Sequence, residues 1–315
     1  MRALVTGAAG FIGSSLVKEL IHKKNNEIVG GDAFTDYYAP DQKMANVSEL
    51  LSAKNFKLLR IDLRTAELER MLREVDVVFH LAGQPGVRTS WGSESFRDYV
   101  EHNVLVTQRL LQGCHDVGVS QFVYASSSSV YGNALQYPTD ESVCPRPFSP
   151  YGVTKLAGEH LCTLYGENFG MGIVSLRFFT VYGPAQRPDM AIHRMIECAL
   201  DGTPFRVFGN GEHVRSFTYV ADVVDALRRA GEVSHAAGQV VNIAGGSTVD
   251  MNTLISLVNN ATGEKLRVEY GNDIEGDVKQ TDGSIDAARE LLDWTPTIGL
   301  EQGIAEQVQW HLARR

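Results

Sequence analysis

The hydrophobic positions of this chain fall into short runs, separated by stretches in which apolar residues recur every three or four positions. Ala3-Leu-Val-Thr6, Glu27-Ile-Val-Gly-Gly-Asp32, Phe56-Lys-Leu-Leu-Arg-Ile-Asp62, Val75-Asp-Val-Val-Phe-His-Leu-Ala82 and Gln121-Phe-Val-Tyr-Ala-Ser126 suit parallel strands covered on both faces. Each ends in small or polar residues, the end at which such sheets collect ligands. Leu16, Val17, Leu20 and Ile21 mark one intervening helix; Phe96, Tyr99, Val100, Val104 and Leu110 mark another. A helix opening at Tyr151 carries Leu156, Ala157, Leu161, Leu164 and Tyr165 at helical spacing. After it, Ile173 to Gly183 reads as one long strand, and Gly183-Pro-Ala-Gln-Arg-Pro-Asp189 breaks the pattern. Ile192, Met195, Ile196 and Leu200 then mark a helix, and Phe205 to Val220 is strand-like with a glycine turn. Val240-Val-Asn-Ile-Ala244 gives one more strand, and the tail alternates helical runs and turns. The alternation predicts an α/β chain with a doubly wound parallel sheet and a smaller α/β C-terminal domain. Residues 1–176 are expected in the sheet domain, with about 217–244 returning to it; 177–216 and 245–315 form the smaller one.

The first of these units carries chemistry. Gly7-Ala-Ala-Gly10-Phe-Ile-Gly13 follows the first strand at once and opens a helix, and the second strand ends in Asp32, about 20 residues past Gly13. Strand, glycine turn, helix, strand, acid is the dinucleotide-binding unit of a Rossmann-type sheet. The glycines allow a tight turn and close approach to a pyrophosphate at the positive end of the helix. A carboxylate at Asp32 hydrogen-bonds an adenosine ribose and repels a 2′-phosphate, which favours NAD over NADP. Asp62, at the end of the third strand, is placed to reach the adenine. Asn103, on the second helix, is either a polar core residue or a clamp on the cofactor loop.

Tyr151 and Lys155 lie four apart and share a helix face. A tyrosine ordinarily titrates near ~10, and an adjacent ammonium lowers that value. A tyrosine so tuned is a general base for a sugar hydroxyl. The formal net charge of −9 speaks against a nucleic-acid backbone as partner. No apolar run reaches the length of a membrane span. Cys114, Cys144, Cys162 and Cys198 show neither zinc spacing nor a disulfide framework, so no metal is expected and a reducing cytoplasm is the simplest location.

Thr6-Gly-Ala-Ala-Gly-Phe-Ile-Gly13, His80-Leu-Ala-Gly83, Ser126-Ser-Ser-Ser-Val-Tyr-Gly132, Tyr151-Gly-Val-Thr-Lys155 and Arg215-Ser-Phe-Thr-Tyr-Val-Ala-Asp222 resemble the extended short-chain dehydrogenase/reductase family, in its nucleotide-sugar branch. The resemblance covers essentially the whole chain. Gly86-Val-Arg88 with Trp91-Gly92, and Arg177-Phe-Phe-Thr-Val-Tyr-Gly-Pro184 leading to Arg187-Pro-Asp-Met-Ala191, narrow it toward the UDP-glucuronate 4-epimerases. The chain departs from commoner patterns at Thr180, Asn210, Ser216, Lys279 and Gly283-Ser284.

The resemblance implies NAD held by Gly7, Gly10, Phe11, Ile12, Gly13, Asp32, Asp62, Leu63, Leu81, Ala82, Gly83, Asn103, Tyr151 and Lys155. It implies Tyr151 as the base, Ser127 hydrogen-bonded to the reacting oxygen, and Lys155 on the nicotinamide ribose. A UDP-sugar would meet Arg88, Ser127, Ser128, Thr180, Arg187, Val207 and Arg215, with the planar fork of Arg187 on a sugar carboxylate, Arg215 on the diphosphate, and Arg88 on either cofactor or diphosphate. Relatives that dehydrate or decarboxylate place an acid before Val-Tyr-Gly, where this chain has Ser128 and Ser129. The implied reaction is oxidation at C4 and return of the hydride with inversion. A neutral UDP-sugar such as UDP-glucose is the runner-up substrate. A dehydrogenase consuming NAD and a non-enzymatic NAD sensor are the other classes. The family's usual pairing implies a homodimer through segments near 95–113 and 151–168.

Overall fold

The computed structural model describes residues 1–233, 238–274 and 276–315. The described strands are β1 (Arg2–Thr6), β2 (Glu27–Asp32), β3 (Phe56–Arg60), β4 (Val77–His80), β5 (Gln121–Ser127), β6 (Gly172–Phe178), β7 (Thr180–Tyr182), β8 (Pro204–Phe208), β9 (Val214–Tyr219), β10 (Gln239–Ile243), β11 (Ser247–Asp250) and β12 (Arg267–Gly271). Seven of them form one parallel sheet in the order β10-β6-β5-β4-β1-β2-β3. The expected doubly wound α/β architecture is therefore present, and the order reverses between β1 and β4. Alternate side chains of a strand point to opposite faces. Ala3 and Val5 of β1 accordingly join the core beneath the Phe11–Ile21 and Val220–Glu232 helices, whereas Leu4 joins Leu110, Leu111 and Tyr165 on the other side. β4 is buried along its whole length, as a near-continuous apolar run requires.

Ile173 to Gly183 is not one long strand. β6 pairs with β5 only as far as Ser127 opposite Phe178, because β5 ends there. Phe179 then donates its N–H to the Ile243 carbonyl and packs with Val130, Tyr131 and Ala244. The chain crosses over, and β7 pairs with β9 in a separate sheet, β11-β9-β7. Phe205 to Val220 is likewise divided: β8 pairs with β12, and β9 lies in the other small sheet. The strand segment at 239–243 returns to the large sheet, whereas β7, β8, β9, β11 and β12 do not belong to it.

The helix expected through Tyr99 and Leu110 contains a π-helical turn at Glu101–Leu105, between Ser93–Val100 and Val106–Val117. Such turns widen the helix locally and aim a side chain inward; here the buried residue is Asn103. In the Pro150–Phe169 helix the buried face is Gly158, Glu159, Cys162 and Tyr165, while Leu164 is 52% exposed. Beneath that helix Glu159 and Arg177 form a buried ion pair, with Arg177 Nη2 2.7 Å from Oε2 and Nε 2.9 Å from Oε1.

Candidate active site

The C-terminal ends of the large sheet bring the predicted residues together. The turn after β1 reaches its close approaches because it is bare backbone. A Cβ on Gly7 (φ 70°) would lie 2.9 Å from the Ala82 nitrogen, and one on Gly13 would lie 2.0 Å from the Gly7 carbonyl oxygen. The helix from Phe11 begins at Gly10 with no side-chain cap, which leaves its first N–H groups for an anion. Asp32 is locked against this turn: Oδ2 accepts from the Ala9 N–H at 3.0 Å and Oδ1 from the Phe34 N–H at 2.8 Å. A cavity runs over Gly7, Gly10, Phe11, Ile12, Gly13, Asp32, Asp62, Leu63, Leu81, Ala82 and Gly83 to Tyr151 and Lys155. These residues and the uncapped helix fit the dinucleotide.

Three placements add to the sequence reading. Asp62 lines the cavity, but its carboxylate holds Arg64, with Nη2 at 2.8 Å and the Arg64 N–H at 2.9 Å; Arg64 keeps its pKa low. Asn103 is buried behind the wall. Its Oδ1 accepts from the Gln84 N–H at 2.7 Å, and its Nδ2 donates to the Gln84 carbonyl and to Thr154 Oγ1, both at 3.0 Å. That is the loop clamp of the sharper sequence reading, not a cavity lining. Lys43, Tyr37 and Tyr38 also line the cavity and were not anticipated. They lie on the loop and helix after Asp32, where no periodic pattern points at a ligand; adjacent tyrosines just past a strand end are the one signal there.

Ser149 accepts a hydrogen bond from the Gly152 N–H at 3.1 Å, and Pro150 opens the helix, so Tyr151 stands in its first turn. The Tyr151 ring packs edge-on against Tyr99 at 6.1 Å. Burial raises the Tyr151 pKa; the Ser127 hydroxyl and Arg187 oppose that rise, and Tyr37 adds to it. Lys155 Nζ lies 4.7 Å from the centre of the Tyr124 ring. Burial brings Lys155 down to about 8, with Cys162 and Glu159 opposing. Ser127 Oγ is 3.1 Å from Ser129 Oγ and accepts from the Ser129 N–H at 3.2 Å.

Arg187 closes the same cavity. Its fork is already used: Nε donates to Asp189 Oδ1 at 2.9 Å and Nη2 to Oδ2 at 3.0 Å. The face expected for a ligand carboxylate is therefore held by Asp189, which leaves the remaining three of its five donors. Tyr37, whose hydroxyl donates to Asp189 at 3.3 Å, borders both this cavity and a second one. The second contains Arg88, Thr180, Val207 and Arg215. There Arg88 Nη2 lies 3.2 Å from Asp277 Oδ2, and Arg215 pairs with the other oxygen of the same carboxylate. Ser128, Thr180 and Arg215 meet in a smaller cavity beside it. Asp189 and Asp277 escaped the sequence reading as site residues because their roles depend on arginines that other segments deliver.

The arrangement can hold a dinucleotide beside a proton acceptor, and next to it an anionic ligand gripped by arginines. Residues 3–244 match the model of the NAD dependent epimerase/dehydratase family. An uncharacterized UDP-glucose epimerase of Bacillus subtilis (strain 168), YtcB, is 42% identical over 310 residues, 98% of each chain. A UDP-glucuronate 4-epimerase of Thermodesulfobacterium geofontis is 36% identical, covering 98% of this chain and 95% of its own. The crystal structure of UDP-glucuronic acid 4-epimerase from Bacillus cereus, in complex with UDP-glucuronic acid and NAD, superposes with a TM-score of 0.96 at 40% identity over the full length of both chains. With these likenesses spanning the glycine turn, the Tyr151 helix and the arginine-lined cavity alike, this chain belongs to the NAD-dependent epimerase/dehydratase family.

Proposed function

We propose that the chain interconverts UDP-glucuronate and its C4 epimer, UDP-galacturonate, using a resident NAD. The observation that carries this reading is the meeting of Tyr151, Ser127 and Arg187 at the end of the dinucleotide cavity that borders the arginine-lined one. NAD bound there would supply the hydride acceptor for C4 of the sugar and the donor for its return to the opposite face of the ketone. Tyr151 takes the proton of the 4-hydroxyl and later gives it back, and Ser127 holds that oxygen. Lys155, buried beside Gly83, holds the nicotinamide ribose. Arg215 and Arg88 exchange Asp277 for the diphosphate. The free donors of Arg187, with Thr180 and Ser128, receive the sugar carboxylate and keep it out of line with the ketone, which would otherwise favour loss of carbon dioxide. Residues 1–176 with about 217–244 carry the cofactor in this reading, and 177–216 with 245–315 carry the sugar nucleotide.

A neutral UDP-hexose is the second reading, and the hold of Asp189 on Arg187 favours it. Incubation with UDP-glucuronate, UDP-glucose and UDP-N-acetylglucosamine, followed by proton NMR of the products, separates them. Inversion at C4 of the acidic sugar without accumulation of NADH is expected. Turnover of neutral sugars alone supports the second reading, and net NADH would mean a dehydrogenase.

The chain works as a homodimer in this proposal. Phe96, Leu105, Val153 and Leu164 are 37–52% exposed on the two segments expected to pair, an apolar surface that a second copy would cover. No described helix is long and apolar enough to cross a membrane. The four cysteines are free, with Cys114 and Cys162 buried, which is compatible with the proposed cytoplasmic location.

A further inference from the structure

His193 and Glu197 lie one turn apart on the Ala191–Asp201 helix, and His311 stands in the last turn of the Leu300–Leu312 helix. One ligand atom from each falls within 4.8 Å of the other two. The His193 and His311 rings are 4.5 Å apart at 72°. His193 Nδ1 is 2.8 Å from the Gln186 carbonyl oxygen, so Nδ1 carries the proton and Nε2 carries the lone pair. Gln186 is itself fixed: its Nε2 donates to the Val181 carbonyl at 2.9 Å, and its Oε1 accepts from the His193 N–H at 3.0 Å and from Gln307 at 2.9 Å. A histidine whose second nitrogen is anchored on a backbone carbonyl, with that carbonyl's residue anchored in turn, is the outer-shell arrangement of metal sites. His311 Nδ1 contacts Glu197 Oε1, so Nδ1 is the nitrogen placed to share an ion with that carboxylate.

We propose that His193, Glu197 and His311 bind a divalent transition-metal ion of the zinc class. Two imidazoles and one carboxylate suit zinc, whereas magnesium and calcium prefer all-oxygen shells. Ligand atoms of a tetrahedral zinc site stand roughly 3.4 Å apart at bond lengths of about 2.0–2.1 Å, so an ion would replace the proton between His311 and Glu197 and open that contact, while the remaining distances close from at most 4.8 Å. Glu197 is 39% exposed, which gives the ion a way in. The competing cation is Arg315, whose Nη2 lies 3.2 Å from Glu197 and 2.8 Å from Asp201. The ion displaces Arg315 from Glu197 and leaves it on Asp201. The site has no part in the hydride chemistry. It ties the C-terminal helix to Gln186, the residue before Arg187, and so acts as a structural staple behind the sugar-nucleotide cavity.

The test uses the full-length protein with its bound NAD, stripped with a chelator and desalted. Calorimetric titration with zinc chloride is expected to show one ion per chain, and cobalt should give visible absorption of a tetrahedral centre. At about a hundredfold excess over Kd the melting temperature should rise by roughly 5 °C. His311→Gln should abolish all three signals with its circular dichroism unchanged, and Arg315→Ala should bind zinc several-fold more tightly. An equal zinc response in His311→Gln would place the ion on other histidines and overturn the proposal. So would the absence of any heat, absorption or melting shift in the parent protein and in Arg315→Ala.

Discussion

Replacement of Arg187 by alanine probes the acidic-sugar reading most directly, because three effects follow from its contacts. A charge-assisted hydrogen bond to a carboxylate is worth roughly 1.5–3 kcal/mol, or about tenfold to a hundredfold in affinity. Two donors are committed to Asp189 and the side chain is 23% exposed, so the lower end, about tenfold, applies to UDP-glucuronate. Loss of Arg187 also leaves the Asp189 carboxylate uncompensated beside the incoming one, which deepens the loss for the acidic sugar only. The third effect concerns pH. Tyr151 acts as base only when ionised, and Arg187 is one of the groups holding its pKa down. Without that cation the pKa rises, so the ascending limb of kcat against pH moves to higher pH for either substrate. The assays are calorimetric affinity for UDP-glucuronate and UDP-glucose and the pH profile of kcat, in wild type, Arg187→Ala and Arg187→Lys. Lysine should restore the pH limb and not the acidic-sugar preference, since it lacks the planar fork. Equal affinity losses for the two nucleotides would refute the carboxylate role, and an unmoved pH limb would refute the coupling to Tyr151.

Tyr151→Phe should nearly abolish turnover with UDP-sugar affinity intact, and Ser127→Ala should lose less; full activity in the phenylalanine variant would remove Tyr151 as the base. Glu159→Gln alone should cost about 3–5 kcal/mol in urea unfolding, because it leaves Arg177 buried and unpaired; Glu159→Gln with Arg177→Met should recover most of that. Leu105→Asp with Leu164→Asp should give monomers by light scattering, and a dimer unaffected by both changes would place the interface elsewhere.

Much of the large sheet was legible because its signals are local. A parallel strand buried on both faces must be apolar along its length, and a turn that brings its backbone against β4 must be glycine. The Tyr151 helix was legible in the same way, through Ser149, Pro150 and the helical spacing that follows. The exposed Leu164 shows the limit of periodicity: it reports that a helix forms, and not which of its apolar faces the monomer covers.

Legible in the sequence alone are the βαβ unit with Gly7, Gly13 and Asp32, the shared face of Tyr151 and Lys155, and the small or polar residues that close β4 and β5 at the ligand end of the sheet. These follow from spacings within one or two elements. Only the tertiary structure decided that Ile173 to Gly183 divides between two sheets, since the break depends on where β5 ends. Only it showed that Arg187, from a distant segment, is among the groups that lower the Tyr151 pKa, and that Asp189 pairs with Arg187 and Asp277 with Arg88 and Arg215. A charge acts through space on whatever the fold brings within a few ångströms, and sequence separation carries no information about that distance.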